Sequence, residues 1–268
     1  MFLYWQRKPH VDLQPYVKSY WHFRRTFAKS TRHTIYPDSY FELIWVKEGA
    51  LYINGVKTPE YFFSGFNEAP LTLSGEGRIE VYAVRFYAWG CVPFTNIELS
   101  ERHSIASVSD FLGAAHFAAF KRKTRHEKVN FYKAADDLLI SILAKEQSGN
   151  TSKTRLPQDI GPESFGSMHE LITASGLSNR QLERRIRKAT GSTPKEVTKR
   201  TRFEKIRKAL IEGRYDNISE LAREYGYVDQ SHLNKEFRSF TGMTPVQFRD
   251  KFCEMHAHLK RSGRWPWD

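Results

Sequence analysis

The stretch GYVDQSHLNKEFRSFTGMTP, Gly226 to Pro245, carries the punctuation of one short helix. Asp229 is placed to cap it by accepting from orphan amides, and Gly226 and Gly242 stand as stops on either side. Thr244-Pro245 then restarts the chain as a cap followed by proline at the first helical position. Leu233 and Phe237, at i and i+4, form the inward face, so Gln230, Ser231, Asn234, Lys235 and Arg238 share the outward stripe. That stripe offers amide, ammonium and guanidinium groups suited to base edges and phosphates.

A second copy precedes it. GLSNRQLERRIRKATGSTP runs from Gly176 to Pro194. Ser167-x-x-Glu170 and Asn217-x-x-Glu220 both have the capping-box form, and Gly176 matches Gly226. Further on, Ser178 matches Asp229, Leu182 and Ile186 match Leu233 and Phe237, and Pro194 matches Pro245. Each unit reads as a short helix, a tight turn and a second helix with a polar outer face, the helix-turn-helix arrangement. In the first unit that face is Arg180, Glu183, Arg184 and Arg187. One charged helix face is usually only a solvated face. Two copies with matched caps, turns and inward pairs point to double-stranded DNA.

Between the units, PKEVTKRTRFEKIRKALIEG (Pro194–Gly213) predicts a helical rod. About eighteen residues give it a length of roughly 27 Å, which holds the outward faces near the ~34 Å spacing of one DNA turn. Lys199, Arg200, Arg202, Lys205, Arg207 and Lys208 add charge along the rod, expected to be mostly solvated with some touching phosphates.

The first half has another character. FELIWV (Phe41–Val46), LYINGVK (Leu51–Lys57) around a tight Asn54-Gly55 turn, and RIEVYAVRFYAW (Arg78–Trp89) read as strands. Pro37, Gly49, Pro59, Gly65, Pro70, Gly75 and Gly77 read as the gaps between strands, and the expected architecture is an antiparallel sandwich or barrel. From Ser109 to Gln147 the pattern turns helical, with Val129, Leu138, Leu139, Ile142 and Leu143 as an apolar stripe that either packs on the β-domain or forms a dimer seam. The fold class is α+β in two domains. Residues 1–147 form the first, β-rich to about 100 and helical over 109–147; 148–163 is a linker, 164–252 an all-α domain and 253–268 a tail.

Composition narrows the function classes. The 268 residues carry a formal net charge of +12 and a pI of about 9.6, which suits a polyanionic partner. Residues 151–268 hold 23 Lys+Arg against 15 Asp+Glu, so the excess is concentrated in the helical half. Cys91 and Cys253 are too few and too far apart for a disulfide framework or a four-ligand zinc site, and inert buried thiols are expected. MFLYWQRKPHVD makes no signal peptide and no run approaches a membrane span, so a cytoplasmic location is expected. His22 and His33 stand on separate segments, with no His-x-His and no downstream carboxylate among the strands, so neither a metal site nor a cofactor is expected. Trp21, Trp45, Tyr52, Phe62, Tyr82 and Trp89 supply aromatic surface that is either core or the lining of a ligand cavity. Arg85, a guanidinium within an apolar strand, needs a carboxylate such as Glu42 or Glu80, a ligand anion or an exit to solvent. Trp45, Tyr52, Tyr82 and Arg85 are the ligand-site candidates.

The region from Ser164 to Phe252 resembles the DNA-binding domain of the AraC/XylS family of bacterial transcription regulators, most specifically through ISELAREYGYVDQSHLNKEFRSFTGMTPVQFR (Ile218–Arg249). The resemblance implies a double helix-turn-helix domain. It places base reading on Arg180, Glu183 and Arg184 in the first unit and on Gln230, Ser231, Asn234 and Lys235 in the second. Glu183 either accepts from a cytosine amino group or orients Arg180 or Arg187, and the second role is favoured because an unpaired carboxylate beside phosphates is costly. The chain departs from the family where LPQDIGPESFGSM (Leu156–Met168) breaks the usual leading helix. LQPYVKSYWHF (Leu13–Phe23), YPDSYFELIWV (Tyr36–Val46) and VYAVRFYAWG (Val81–Gly90) resemble the cupin-like sensor domains of one subgroup. Together the two resemblances imply a cytoplasmic activator acting at promoter DNA with RNA polymerase, modulated by a small-molecule effector, homodimeric or monomeric. The alternatives are a cupin-like binding protein or enzyme with an incidental basic helical domain, and an effector-independent regulator whose first half only dimerises.

Overall fold

The computed structural model describes residues 2–27, 32–87, 90–95, 105–125, 130–148 and 178–252. Val129, Trp89, Cys253, the 148–163 linker beyond Ser148, the 253–268 tail and the first helix of the first unit, with Ser167, Glu170 and Gly176, lie outside them.

Seven strands form one antiparallel sheet: β1 (Phe2–Arg7), β2 (Val17–Phe27), β3 (Arg32–Ile35), β4 (Tyr40–Ile53), β5 (Val56–Lys57), β6 (Tyr61–Ser64) and β7 (Leu71–Tyr87). Their order is β1-β2-β7-β4-β5, with β3 also on β7 and β6 on β4. Asn54 and Gly55 take φ of 51° and 80° and make the β4–β5 hairpin read in the sequence. Three glycines read there as gaps instead lie within strands. β7 runs unbroken through Gly75 and Gly77. Gly49 sits in β4 at a double register shift against β7, with φ +86° and an imaginary Cβ only 2.4 Å from the Arg78 carbonyl oxygen. A bulge and a close backbone approach demand glycine as strongly as a turn does.

Both sheet faces are apolar. On one, Phe27, Ile44, Val46, Phe62, Ile79, Val81 and Ala83 pack together. On the other, Tyr20, Phe41, Leu43, Trp45, Val84 and Phe86 meet three helices, α1 (Val108–Leu112), α2 (Ala114–Thr124) and α3 (Phe131–Ser148). The stripe Leu138, Leu139, Ile142 and Leu143 on α3 is buried in this cluster, so of the two roles left open it takes the packing one.

The C-terminal part is helical: α4 (Asn179–Thr190), α5 (Pro194–Ile211), α6 (Ile218–Glu224), α7 (Gln230–Thr241) and a further helix, α8, from 245 to 252. The caps fall where the sequence puts them. Ser178 and Thr193 form reciprocal capping boxes with Gln181 and Glu196, Asp229 accepts from the His232 amide at 2.7 Å, and Gly191 and Gly242 take left-handed φ of 66° and 73°. Asn217 differs: its Oδ1 accepts from the Ser219 amide, while its Nδ2 donates to Glu220, so the box is not reciprocal. Phe203, Ile206 and Leu210 of α5 meet Leu221, Leu233, Phe237 and Phe248 in one core. Among the described residues no helix is long and apolar enough to cross a membrane.

Candidate DNA-binding surface

Helix α4 turns Leu182 and Ile186 fully inward and leaves Arg180, Glu183, Arg184 and Arg187 exposed. The Glu183 carboxylate lies 3.5 Å from the Arg187 guanidinium at i, i+4, the geometry of an orienting partner. Helix α7 repeats the plan with Leu233 and Phe237 inward and Gln230, Ser231, Lys235 and Arg238 exposed. The Oε1 of Gln230 accepts from the Ser219 hydroxyl at 3.0 Å, which ties the head of α7 to α6 and leaves the Gln230 amide nitrogen to donate. Asn234 departs from its expected outward pose. It is half-buried, with its Oδ1 fully so, because it borders the inward face beside Leu233 and Phe237.

The second unit is held to the rod by a buried acid. Glu236 of α7, 6% exposed, accepts from Arg202 at 3.0 Å and from the Tyr227 hydroxyl at 2.6 Å, and Lys199 stands 3.5 Å away. The Arg202 guanidinium also covers the Tyr227 ring at 4.2 Å. This corrects the expectation of a solvated rod. Lys199 and Arg202 serve the α5–α7 contact and Arg200 is only 7% exposed with its guanidinium over the Phe66 ring, while Lys208 stays exposed as expected, 3.7 Å from Glu212. Sequence reasoning missed Glu236, although its place between Leu233 and Phe237 on the inward stripe of α7 was a signal. It also missed Val228. Tyr227 and Asp229 are both anchored, and this valine is forced out between them at the head of α7, 89% exposed.

The four ligand-site candidates do not converge. Trp45 and Tyr82 are cross-strand partners on the helix-covered face, with ring centroids 5.5 Å apart, packed on Phe131. Arg85 projects from the opposite face and takes the carboxylate option, donating to Glu42 at 2.7 Å with Asp38 4.0 Å away. Tyr52 pairs with Ser74, seven positions along β4 from Trp45. His22, read as standing apart from His33 and without a downstream carboxylate, meets Glu80 at 3.0 Å between β2 and β7. Among the described residues no group of three His, Cys, Asp or Glu side chains could hold a metal. Cys91 is fully buried, and burial pushes its thiol up, well out of the reactive range.

Comparison with family models gives two matches, a helix-turn-helix domain over residues 171–251 and a domain of unknown function (DUF6597) over residues 6–104. Comparison with curated protein sequences gives no match. Among solved structures the chain is similar to ToxT from Vibrio cholerae O395, at 11% identity and a TM-score of 0.44 over 88% of this chain and 98% of that one. It is similar to another crystal form of ToxT from Vibrio cholerae at 10% identity and 0.43 over 86% and 98%. A third likeness is to unsaturated fatty acid-bound ToxT from strain SCE256, at 11% and 0.41 over 95% and 96%.

Proposed function

We propose, from the premise that the chain carries a helix-turn-helix domain of the AraC type and is a DNA-binding transcription regulator, that α4 and α7 each enter a major-groove segment of one duplex. The observation that carries this reading is the duplicated geometry. Two capped helices each bury an i, i+4 apolar pair and present an exposed basic and amide stripe, and an 18-residue rod, α5, joins them. Arg180, Arg184, Gln230, Ser231 and Lys235 read base edges, Arg187 and Arg238 contact phosphates, and Glu183 orients Arg187. The domain takes in residues 164–252, and 1–147 form the sensor.

On this reading the protein acts in the bacterial cytoplasm without catalysis. The cupin-like sheet domain binds a small-molecule effector, dimerises the chain, or both, and the bound protein activates transcription by presenting itself to RNA polymerase. Support for these roles is the resemblance of both halves to one class of regulators.

The test is binding of the full chain to a duplex selected from a random pool and to a scrambled one, across a salt series. Specific reading gives a preference of about 10³ or more, with both affinities falling as salt rises. Equal affinity for the two duplexes would overturn base readout.

A further inference from the structure

The loop between β3 and β4 joins the sheet domain to the helical half at two points, the core shared by α8 and the second helix-turn-helix unit, and the rod α5. Tyr36, only 8% exposed, belongs to the C-terminal core and sets its ring edge-on to Phe248 at 5.3 Å and Phe252 at 5.8 Å. Three residues on, the Ser39 hydroxyl donates to Glu204 of α5 at 2.6 Å. Lys18 of β2 stands 3.7 Å from the other Glu204 oxygen. On α5, Arg200, Glu204 and Arg207 follow at i, i+4 and i+7, one face turned to the sheet domain and about a quarter-turn round from the Phe203–Ile206 face that packs on α7. The first unit is tied in as well, since Leu182, Ile186 and Val197 share an apolar cluster with the helix-covered side of the sheet.

These contacts reach both units but leave the stripes of α4 and α7 exposed. A contact that covers no part of the reading surface cannot act by blocking DNA. What it can do is fix how the two reading helices stand to one another, and a pre-set geometry removes the ordering cost of engaging two groove segments at once. We propose that the Tyr36–Ser39 loop is a latch by which the sheet domain pre-sets the second helix-turn-helix unit for two-segment DNA binding. This rests on the DNA reading above. It assigns the sheet domain a part in affinity that needs no effector.

The test uses the full chain with Tyr36→Ala, Glu204→Gln and Tyr36→Phe, the last keeping the ring that makes the contact. Each is measured on a selected duplex and on one with the α4 segment scrambled, with amide exchange followed over 244–252. The latch predicts that Tyr36→Ala loses about tenfold on the intact duplex, little on the half-scrambled one, and exchanges faster over 244–252. Glu204→Gln shifts in the same sense and Tyr36→Phe matches the wild type. Unchanged or tighter binding by Tyr36→Ala would overturn the latch. So would an equal loss on both duplexes, which marks simple damage to the second unit. A wild-type chain that binds neither duplex would instead overturn the DNA reading beneath it.

Discussion

Arg202 on the rod and Glu236 on the inward side of α7 meet at 3.0 Å, with the carboxylate side chain 5% exposed. The pair fixes the azimuth of α7 about its own axis, because Glu236 lies on the same stripe as Leu233 and Phe237. Removing Glu236 leaves the Tyr227 hydroxyl without its acceptor and Arg202, 20% exposed, without its carboxylate, which sets the cost at or below the about 3–5 kcal/mol of a fully buried pair. Glu236→Ala is therefore expected to lower stability by about 2–4 kcal/mol, against a small loss for truncating an exposed residue such as Lys235. Denaturant unfolding of the two variants checks this, and equal midpoints would show the pair to be dispensable.

Arg184 and Lys235 are exposed on the outward stripes and have room to reach base edges. If they read bases, Arg184→Ala and Lys235→Ala each lose about 1–3 kcal/mol of discrimination at particular base pairs. Binding to a panel of single-base variants of a selected duplex measures it. A uniform loss across the panel, with a shallower salt slope, would assign them to phosphates.

Glu183 faces Arg187 at 3.5 Å with both side chains more than half exposed, so the pair adds little to stability. Glu183→Gln should leave the melting temperature and the preferred sequence unchanged, and tighten binding to all duplexes slightly by removing a negative charge near phosphates. A changed preference at a cytosine would identify Glu183 as a base reader.

The two halves are unequally legible in the sequence, and the reason is how far each signal reaches along the chain. Caps such as Ser178–Gln181 and Thr193–Glu196 close over three residues, so the helix boundaries of the C-terminal part stand written in adjacent letters. The outward stripes follow from the same periodicity, and only Asn234 departs from it. In the sheet, Gly49 and Gly75 look like turns until β7 and β4 are laid side by side, since what excludes a side chain at Gly49 is the backbone of Arg78. Arg200 looks solvated in the sequence for the same reason: Phe66, the ring it covers, is far away along the chain.

The position of Gly49 against Arg78 has a direct consequence. At φ +86° an alanine is strained, and its Cβ would stand 2.4 Å from a carbonyl oxygen that the β4–β7 pairing holds in place. Gly49→Ala is expected to cost about 2 kcal/mol or more, seen as a lowered melting temperature. Gly55→Ala, with open space around the site, should cost less despite a similar φ. Equal losses would mean that the bulge relaxes freely.

Asp38 sits in the loop between β3 and β4, faced by Arg85, Glu42, Glu204 and Arg207, with its Oδ1 accepting from the Tyr40 amide at 3.1 Å. Burial pushes its carboxyl from 3.8 up to about 6, more than the neighbouring Arg85 charge pulls it down. Between those two values the folded protein keeps a proton that the unfolded chain has released, so this group's contribution to stability falls as pH rises from about 4 to about 6 and is constant above. Asp38→Asn keeps an acceptor for the Tyr40 amide and removes the titration. The stability of the wild type relative to Asp38→Asn should therefore decline with pH across that window and level off near neutrality. Denaturant unfolding of both proteins at a series of pH values measures the difference. A difference that stays flat, or grows with pH, would mean that Arg85 and Arg207 outweigh burial and hold Asp38 ionised.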